Sequence, residues 1–399
     1  MTSPTMSAGP LTGVKVLDLT TIYSGPICTS ILGDQGADVI KVESHDGDLM
    51  RRGLVARNGV NASFAMMNRN KRSLVLDMKT KDGLAVLHDM IRKADILVEN
   101  FRPGVMKRLG IDFEQANKIN PRLIFVSING VGESGPYANR RVYDAVIQGI
   151  SGLASLHVDS STGSPQMINT LICDKITSVT AAQNIVAALY AREKTGVGQR
   201  VEVSMLDASL FFLWPDGMIN YSFVGDDVDP APLLKYSTFV RTTEDGYVAV
   251  MPVKAVEIEG VFKALDLHAM WGDERFSTPA LRMQNREELD TILNNGYAKF
   301  TTEEVCRRLE ENDVPYALIN QRHEVIDDPQ VRAMGALVEF EHAQAGPMRQ
   351  PRPPGQFHST PSGLHRSSPG LGEHSEEILR EMGRDDAEIA RLRKAGVIN

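Results

Sequence analysis

Short apolar, β-rich runs alternate with stretches of helical spacing through the first third of the chain, and this constrains the fold more than any other feature. The runs are Val14 to Leu19, Val39 to Glu43, Ser73 to Leu76, Ile96 to Glu99 and Leu123 to Ile128. Each suits a buried strand and is too short for an ordinary helix. After the first run, Gly25-Pro26 opens a helix with proline in its first turn. Farther on, Lys81 to Lys93 carries Leu84, Leu87 and Ile91 at helical spacing. Strand and helix in alternation predict βαβ units, a largely parallel sheet and the α/β class.

Asp174 is expected just ahead of an amphipathic helix, Lys175 to Arg192, with Ile176, Val179, Gln183, Val186 and Leu189 along it. The turn Thr195 to Gly198, a strand at Arg200 to Ser204 and a helix at Leu206 to Leu213 follow, and Trp214-Pro215-Asp216 reads as packing at the domain exit. Residues 222–235 are rich in Asp and Pro and read as a linker. A second αβ pattern then runs through strand Tyr247 to Met251, helices Ala255 to Leu265 and Thr302 to Glu311, strand Tyr316 to Ile319 and a last strand at Ala336 to Phe340. Pro347, Pro351, Pro353, Pro354, Pro361 and Pro369 mark an extended surface traverse. Helices at Ser375 to Met382 and Asp385 to Lys394 are expected to return to the first domain. The expected division is 1–221, linker 222–235, 236–340, return segment 341–372 and terminal helices 373–399.

With 399 residues, 42% of them hydrophobic, the chain holds enough apolar material for two or three domains. Asp and Glu number 51 against 43 Lys and Arg, a net charge of −8 that argues against nucleic acid or an anionic membrane as partner. Cys28, Cys173 and Cys306 are scattered, and the histidines form no ligand pair, so neither a disulfide framework nor a metal site is expected. Residues 1–10 carry no basic, apolar leader pattern. Ile176 to Ala191 is too short and too polar to span a bilayer, so a cytoplasmic, soluble protein is expected. Neither GxGxxG nor GxxxxGK[ST] occurs, which leaves the usual dinucleotide and ATP cradles unsupported.

Few residues point to chemistry on local grounds. Asp174 at a helix start reads first as an N-cap. Its second reading is a carboxylate kept ionised by a helix N-terminus and available as a nucleophile. Asn68-Arg69-Asn70-Lys71-Arg72, with Lys79, Arg102, Lys107, Arg108, Arg140 and Arg141, makes a basic set near expected strand ends. That is where open sheets bind ligands, although a solvated surface is the usual fate of such charges. A small molecule bearing several phosphates fits an acidic chain better than nucleic acid does. Tyr23-Ser24-Gly25-Pro26, at the first elbow, offers backbone N–H groups to an anion, and Tyr143-Asp144 reads as a helix entry.

Taken together, the segments GVKVLDLT (13–20), GADVIKVE (36–43), NRNKRSLVLDMK (68–79), LVENFRPGVMKRLG (97–110), NPRLIFVSINGVGESGPY (120–137), EKTGVGQRVEVSMLDASL (193–210) and LGEH (371–374) resemble the class III CoA-transferases, the family of formyl-CoA transferase and carnitine CoA-transferase. The resemblance covers almost the whole chain, with 215–335 matching only in pattern. It implies a Rossmann-like large domain built from both chain ends, a smaller α/β domain from the middle, and two subunits interlocked as a homodimer. It implies coenzyme A, entering as an acyl-CoA donor, with a carboxylic acid as acceptor and no metal or nucleotide cofactor. Asp174 holds the position of the family's nucleophile. Leu76, Asp77, Met78, Lys79, Asn100, Phe101, Arg102, Arg108 and Arg141 would line the CoA site, and Tyr23, Ser24, Tyr143 and Asp144 the reacting centre.

Departures bear on the substrate. Where the formyl-CoA transferase type has Gln this chain has Tyr23, where that type has Arg it has Ser44, and no glycine run occurs between 215 and 300. A bulkier carboxylate than oxalate or formate is therefore expected: a dicarboxylic, aromatic or carnitine-like acid. An α-methylacyl-CoA racemase on the same fold would need an imidazole where Tyr143 stands, and a phenol with a pKa near 10 replaces it poorly. A non-catalytic CoA-binding protein is the remaining alternative, and a retained Asp174 speaks against it.

Overall fold

A computed structural model describes residues 9–159, 161–225, 230 and 236–399. Residues 1–8, and 226–229 and 231–235 of the expected linker, lie outside the described residues. The chain divides into two compact units, one formed by residues up to Gly225 together with Gly335–Asn399, the other by Asp226–Met334.

The first unit is built on six parallel strands: β1 (Lys15–Asp18), β2 (Asp38–Glu43), β3 (Lys71–Val75), β4 (Ile96–Glu99), β5 (Ile124–Asn129) and β6 (Arg200–Ser204). Their order across the sheet is β3-β2-β1-β4-β5-β6. That is the doubly wound order, in which the chain departs to opposite sides after β1 and β4 and leaves a crevice at their C-terminal ends. The period of two in each strand sends side chains to two faces. Val16, Val39, Ile96, Val98, Ile124 and Val126 pack beneath helices α1 (Ser24–Asp34) and α4 (Ile172–Thr195). Leu17, Val42, Leu74, Leu97 and Phe125 face α2 (Lys81–Lys93) and two helices near the chain end, α9 (Ser375–Glu381) and α10 (Asp386–Lys394). Between α2 and α4 lies the short α3 (Asp144–Ile150), and α5 (Met205–Gly217) follows β6.

Helix α4 differs from its sequence reading. Val179, Gln183 and Val186 are exposed, and the buried stripe is Cys173, Thr177, Ser178, Ala181, Ala182, Ile185, Ala188 and Leu189. Small residues let α1 and α4 approach closely, so packing selects the small face and leaves the bulkier one outside. Trp214 is also 41% exposed, inside α5, with its indole N–H donating to Ser222 Oγ at 3.1 Å. The proline-rich segment is only partly an extended traverse. β10 (Leu337–His342) and β11 (Gly346–Pro351) pair antiparallel as a two-stranded ribbon, whose edges tolerate the missing N–H of Pro347 and Pro351.

In the second unit β7 (Val240–Thr242), β8 (Tyr247–Val250) and β9 (Tyr316–Leu318) form an antiparallel sheet with β8 central. Helices α6 (Ala255–Ala264), α7 (Arg286–Tyr297) and α8 (Thr302–Glu311) cover it through Val261, Leu265, Tyr297, Val305 and Leu309.

Buried charge fixes the elbow after β1. Asp18 is fully buried, and its Oδ1 accepts from the Thr20 N–H at 2.9 Å and hydroxyl at 2.5 Å. Its Oδ2 accepts from Thr29 Oγ1 and Lys71 Nζ, both at 2.8 Å. Lys71 also donates to the Pro26 carbonyl and Asn68 Oδ1, each at 2.9 Å. Lys41, equally buried, donates to the Thr20 carbonyl at 2.8 Å and pairs with Asp48 at 2.9 Å. Burial alone would raise the Asp18 carboxyl, but the ammonium groups of Lys71 and Lys41 hold it well below the usual carboxylate range. Replacing either member of such a pair strands the other as an uncompensated charge. Asp18→Asn, and separately Lys71→Met, are each expected to lower the unfolding free energy by about 3–5 kcal/mol in urea titration. A change below about 1 kcal/mol, the size of a surface pair, would contradict the assignment.

Candidate active site

The crevice between the C-terminal ends of β1 and β4 is lined first by the chain leaving β1. Thr20 is gripped by Asp18 and Lys41, and the Thr21 N–H and carbonyl both bond to the Asn100 amide, at 2.9 and 2.8 Å. Ile22 follows at φ 75°, with its N–H donating to Asp48 Oδ1 at 3.2 Å. A β-branched residue at positive φ is costly and persists only where its surroundings over-determine it. Ser24 then starts α1. Gly25 is required beside it, because a Cβ there would lie 2.3 Å from that of Thr20.

Helix α4 arrives from the other side. It begins at Ile172 after Leu171, so Asp174 sits within the first turn and not ahead of it, and no side chain of the Leu171 cap position bonds to the helix. The capping reading of Asp174 is thereby corrected. Asp144, at the start of α3 and 2% exposed, takes that part across the gap: its Oδ2 accepts from the Asp174 N–H at 3.0 Å. Asp144 Oδ1 accepts from Gln148 Nε2 at 2.7 Å, and Gln148 Oε1 accepts from the Ile168 N–H at 2.8 Å. With its own N–H satisfied elsewhere, Asp174 keeps its carboxyl near the start of α1, where the dipoles of Ser24 favour its charged form. The Ser178 hydroxyl lies 2.8 Å from the Ser24 carbonyl and 2.7 Å from that of Asp174, tying α1 to α4 at this point. Burial, then the like charge of Asp144, push the Asp174 carboxyl up to about 6, against the pull of the Ser24 dipoles. A carboxylate poised near neutrality at two helix N-termini suits nucleophilic or proton-transfer work.

The other sequence-predicted residues fall into distinct groups. Leu76 is buried in the core with its N–H donating to the Glu43 carbonyl at 2.8 Å, and Met78 packs on the same cluster. The Asp77 N–H donates to the Val397 carbonyl at 2.8 Å, and Asp77 Oδ1 accepts from the Lys79 N–H at 3.0 Å. Phe101 is half-buried on the α2 face, with its N–H on the Glu99 carboxylate at 2.9 Å. Lys79, Arg102, Arg108 and Arg141 are exposed, and among the described residues none of them forms an ion pair. Tyr23 is half-buried and Tyr143 is 62% exposed.

The cations of Asn68-Arg69-Asn70-Lys71-Arg72 are neither solvated nor ligand-facing. Arg69 is buried on Asp34, with N–O contacts of 3.0 and 2.6 Å, and its Nη1 donates to the Pro351 carbonyl at 2.7 Å. Arg72 grips Asp38 and reaches Glu377 at 2.8 Å. These are framework charges, and so are Lys41, Asp18 and Asp48, which sequence reasoning passed over. Their signal was present: a Lys inside the apolar run Val39 to Glu43 and an Asp at the end of β1 are charges placed where only buried pairs survive. Among the described residues no cluster of His, Cys, Asp and Glu is arranged to hold a metal ion, and no helix is long and apolar enough to cross a membrane.

Comparison with known proteins agrees in scope. The model of CoA-transferase family III matches residues 11–375. The succinate–glutarate CoA-transferase of Agrobacterium fabrum is 32% identical, over 94% of this chain and 96% of its own. The human succinyl-CoA:glutarate CoA-transferase is 33% identical, over 98% and 90%. The formyl-CoA:oxalate CoA-transferase of Bradyrhizobium diazoefficiens is 34% identical, over 97% of each. The crystal structure of a CAIB/BAIF family protein from Brucella suis, 30% identical, superposes with a TM-score of 0.81 over 94% of this chain and 99% of that one.

A carboxyl whose folded pKa is raised binds its proton more tightly in the fold than in the unfolded chain. Its contribution to stability is full below the ordinary Asp value near 4 and is lost as pH rises through about 6. Asp174→Asn removes that loss. The variant is expected to melt above the parent at pH 8, with the difference vanishing by pH 4. Equal melting temperatures across that range would contradict the placement of Asp174.

Proposed function

The chain belongs to CoA-transferase family III and is a CoA-transferase, and we propose that it moves coenzyme A between carboxylic acids through covalent intermediates on Asp174. The observation that supports this reading is the placement of Asp174 in the first turn of α4, its N–H on the buried Asp144 and its carbonyl linked through the Ser178 hydroxyl to that of Ser24. Asp174 attacks the acyl-CoA carbonyl carbon, the C–S bond breaks, and a mixed anhydride and CoA thiolate result. The thiolate attacks the aspartyl carbonyl, the anhydride C–O bond breaks, the donor acid leaves, and an aspartyl thioester remains. An acceptor carboxylate attacks that thioester and releases thiolate, which takes the new acyl group and restores Asp174. No proton need be added or removed overall, and the thioester bond is conserved in kind.

The aspartyl carbonyl is itself attacked in this sequence, and the Ser24 N–H and hydroxyl, which favour charge on Asp174, are the donors we assign to the oxyanion that forms there. Donors already fixed there need no reorganisation as charge develops. The buried Asp144 keeps the Asp174 charge reactive by resisting its stabilisation. The exposed, unpaired Lys79, Arg102, Arg108 and Arg141 suit the phosphates of CoA, and Phe101 suits its adenine. The acceptor is a carboxylic acid bulkier than oxalate. Tyr23 at the elbow supports this, as do relatives named for succinate and glutarate.

The active form is an interlocked homodimer. Val179, Val186 and Tyr190 on α4 and Phe211 and Phe212 on α5 stay exposed, and large apolar side chains left uncovered together suit a subunit interface. Light scattering is expected to give the mass of a dimer that dilution does not dissociate. A concentration-independent monomer would contradict it.

Incubation with an acyl-CoA donor and hydroxylamine is expected to inactivate the enzyme and convert Asp174, identified by peptide mass spectrometry, to a hydroxamate. Asp174→Ala should lose transfer altogether, and the acid limb of the wild-type acylation rate should fall near pH 6. Undiminished transfer in Asp174→Ala would sink the proposal. Exchange of the substrate α-proton with D₂O in the absence of an acceptor acid would favour the racemase instead.

A further inference from the structure

The last ladder bond joining the chain after β1 to its neighbour runs from the Leu19 N–H to the Val98 carbonyl, at 2.9 Å. The pairing of β1 with both its neighbours ends at Asp18, and among the described residues no strand pairs with the elbow beyond it. The Asn100 side chain supplies what the strand no longer does. Its Nδ2 donates to the Thr21 carbonyl at 2.8 Å, and its Oδ1 accepts from the Thr21 N–H at 2.9 Å. This reciprocal pair bridges the two lips of the crevice, 79 positions apart in the chain.

Three restraints then act on consecutive residues: Lys41 on the Thr20 carbonyl, Asn100 on Thr21, and Asp48 on the Ile22 N–H. Together they hold Ile22 at its positive φ, two residues ahead of Ser24, whose carbonyl shares the Ser178 hydroxyl with that of Asp174. Two of the restraints are buried ion-paired groups, whereas Asn100 sits on the lip itself, next to Phe101 and Arg102.

We infer that Asn100 is a positioning residue that latches the β1–α1 elbow and so holds the Ser24 end of α1 in register with Asp174. This rests on the reading of Asp174 as nucleophile. Removal of the latch leaves a backbone N–H and carbonyl unpaired and one of three restraints missing from a strained turn.

The test separates acylation from CoA binding. Thiol release from an acyl-CoA in a single turnover with hydroxylamine reads the first, and calorimetric titration with CoA alone reads the second. For Asn100→Ala the acylation rate is expected to fall about 10²-fold, as for a misplacement near 1 Å, while CoA affinity changes less than about threefold. Asn100→Asp keeps the acceptor for the Thr21 N–H but sets a carboxylate oxygen against the Thr21 carbonyl. It should show the same loss, and thermal melting checks that each variant is folded. Wild-type acylation in either folded variant overturns the inference, and so does a loss confined to CoA affinity. A wrong nucleophile shows itself differently, because the unsubstituted enzyme would then give no Asp174 hydroxamate at all.

Discussion

The Asp18 carboxylate, fully buried and accepting from Thr20, Thr29 and Lys71, is the contact on which the site depends. A buried carboxylate is costly unless its lone pairs are filled. Filling them here requires β1, α1 and β3 to converge on one point. That convergence fixes the direction in which the chain leaves β1, and so the position of Ser24. The active-site geometry is therefore set by charges that do no chemistry. Such a network is stable only when complete, which makes it intolerant of partial substitution.

The parallel sheet was legible because its strands are short apolar runs buried on both faces, and such runs stand out from their surroundings. Ile96–Glu99 and Arg200–Ser204 coincide with their sequence readings, and the other strands of the sheet differ at their ends by a residue or two. The exposed face of α4 was misread for a physical reason. Hydrophobicity argues for burying Val179 and Val186, but close contact with α1 requires alanine, serine and threonine. The β10–β11 ribbon was missed in part because prolines argue against a strand wherever both edges are paired, and this ribbon has free edges.

The candidate site was legible through resemblance more than through local pattern. Asp174 at a helix start cannot be told from a cap in one dimension, since the decisive fact is that Asp144 caps the helix from another element. Asn100 illustrates the same limit, because which way an amide turns depends on a loop far away in the chain. Arg69, Lys71 and Arg72 were placed in the wrong environment for want of their partners. Asp34 and Asp38 look unremarkable in sequence until the fold brings Arg69 and Arg72 to them, whereas Asp18 at the end of an apolar run gave a signal without naming its partner.

The seam between the two halves of the first unit has a consequence for how the protein comes to be made. Arg72 meets Glu377 across 305 positions, Asn70 bonds to the Arg366 backbone, and Ile378, Leu379, Ile389 and Leu392 complete the core over α2. On a ribosome, the early strands emerge long before the helices that cover one of their faces. The second unit closes on local partners and can fold while the first waits with its apolar sheet face exposed. Synthesis therefore passes through a stage in which α2 and the β3 edge lack their cover, and a chain interrupted ahead of α9 would be retained by chaperones or aggregate.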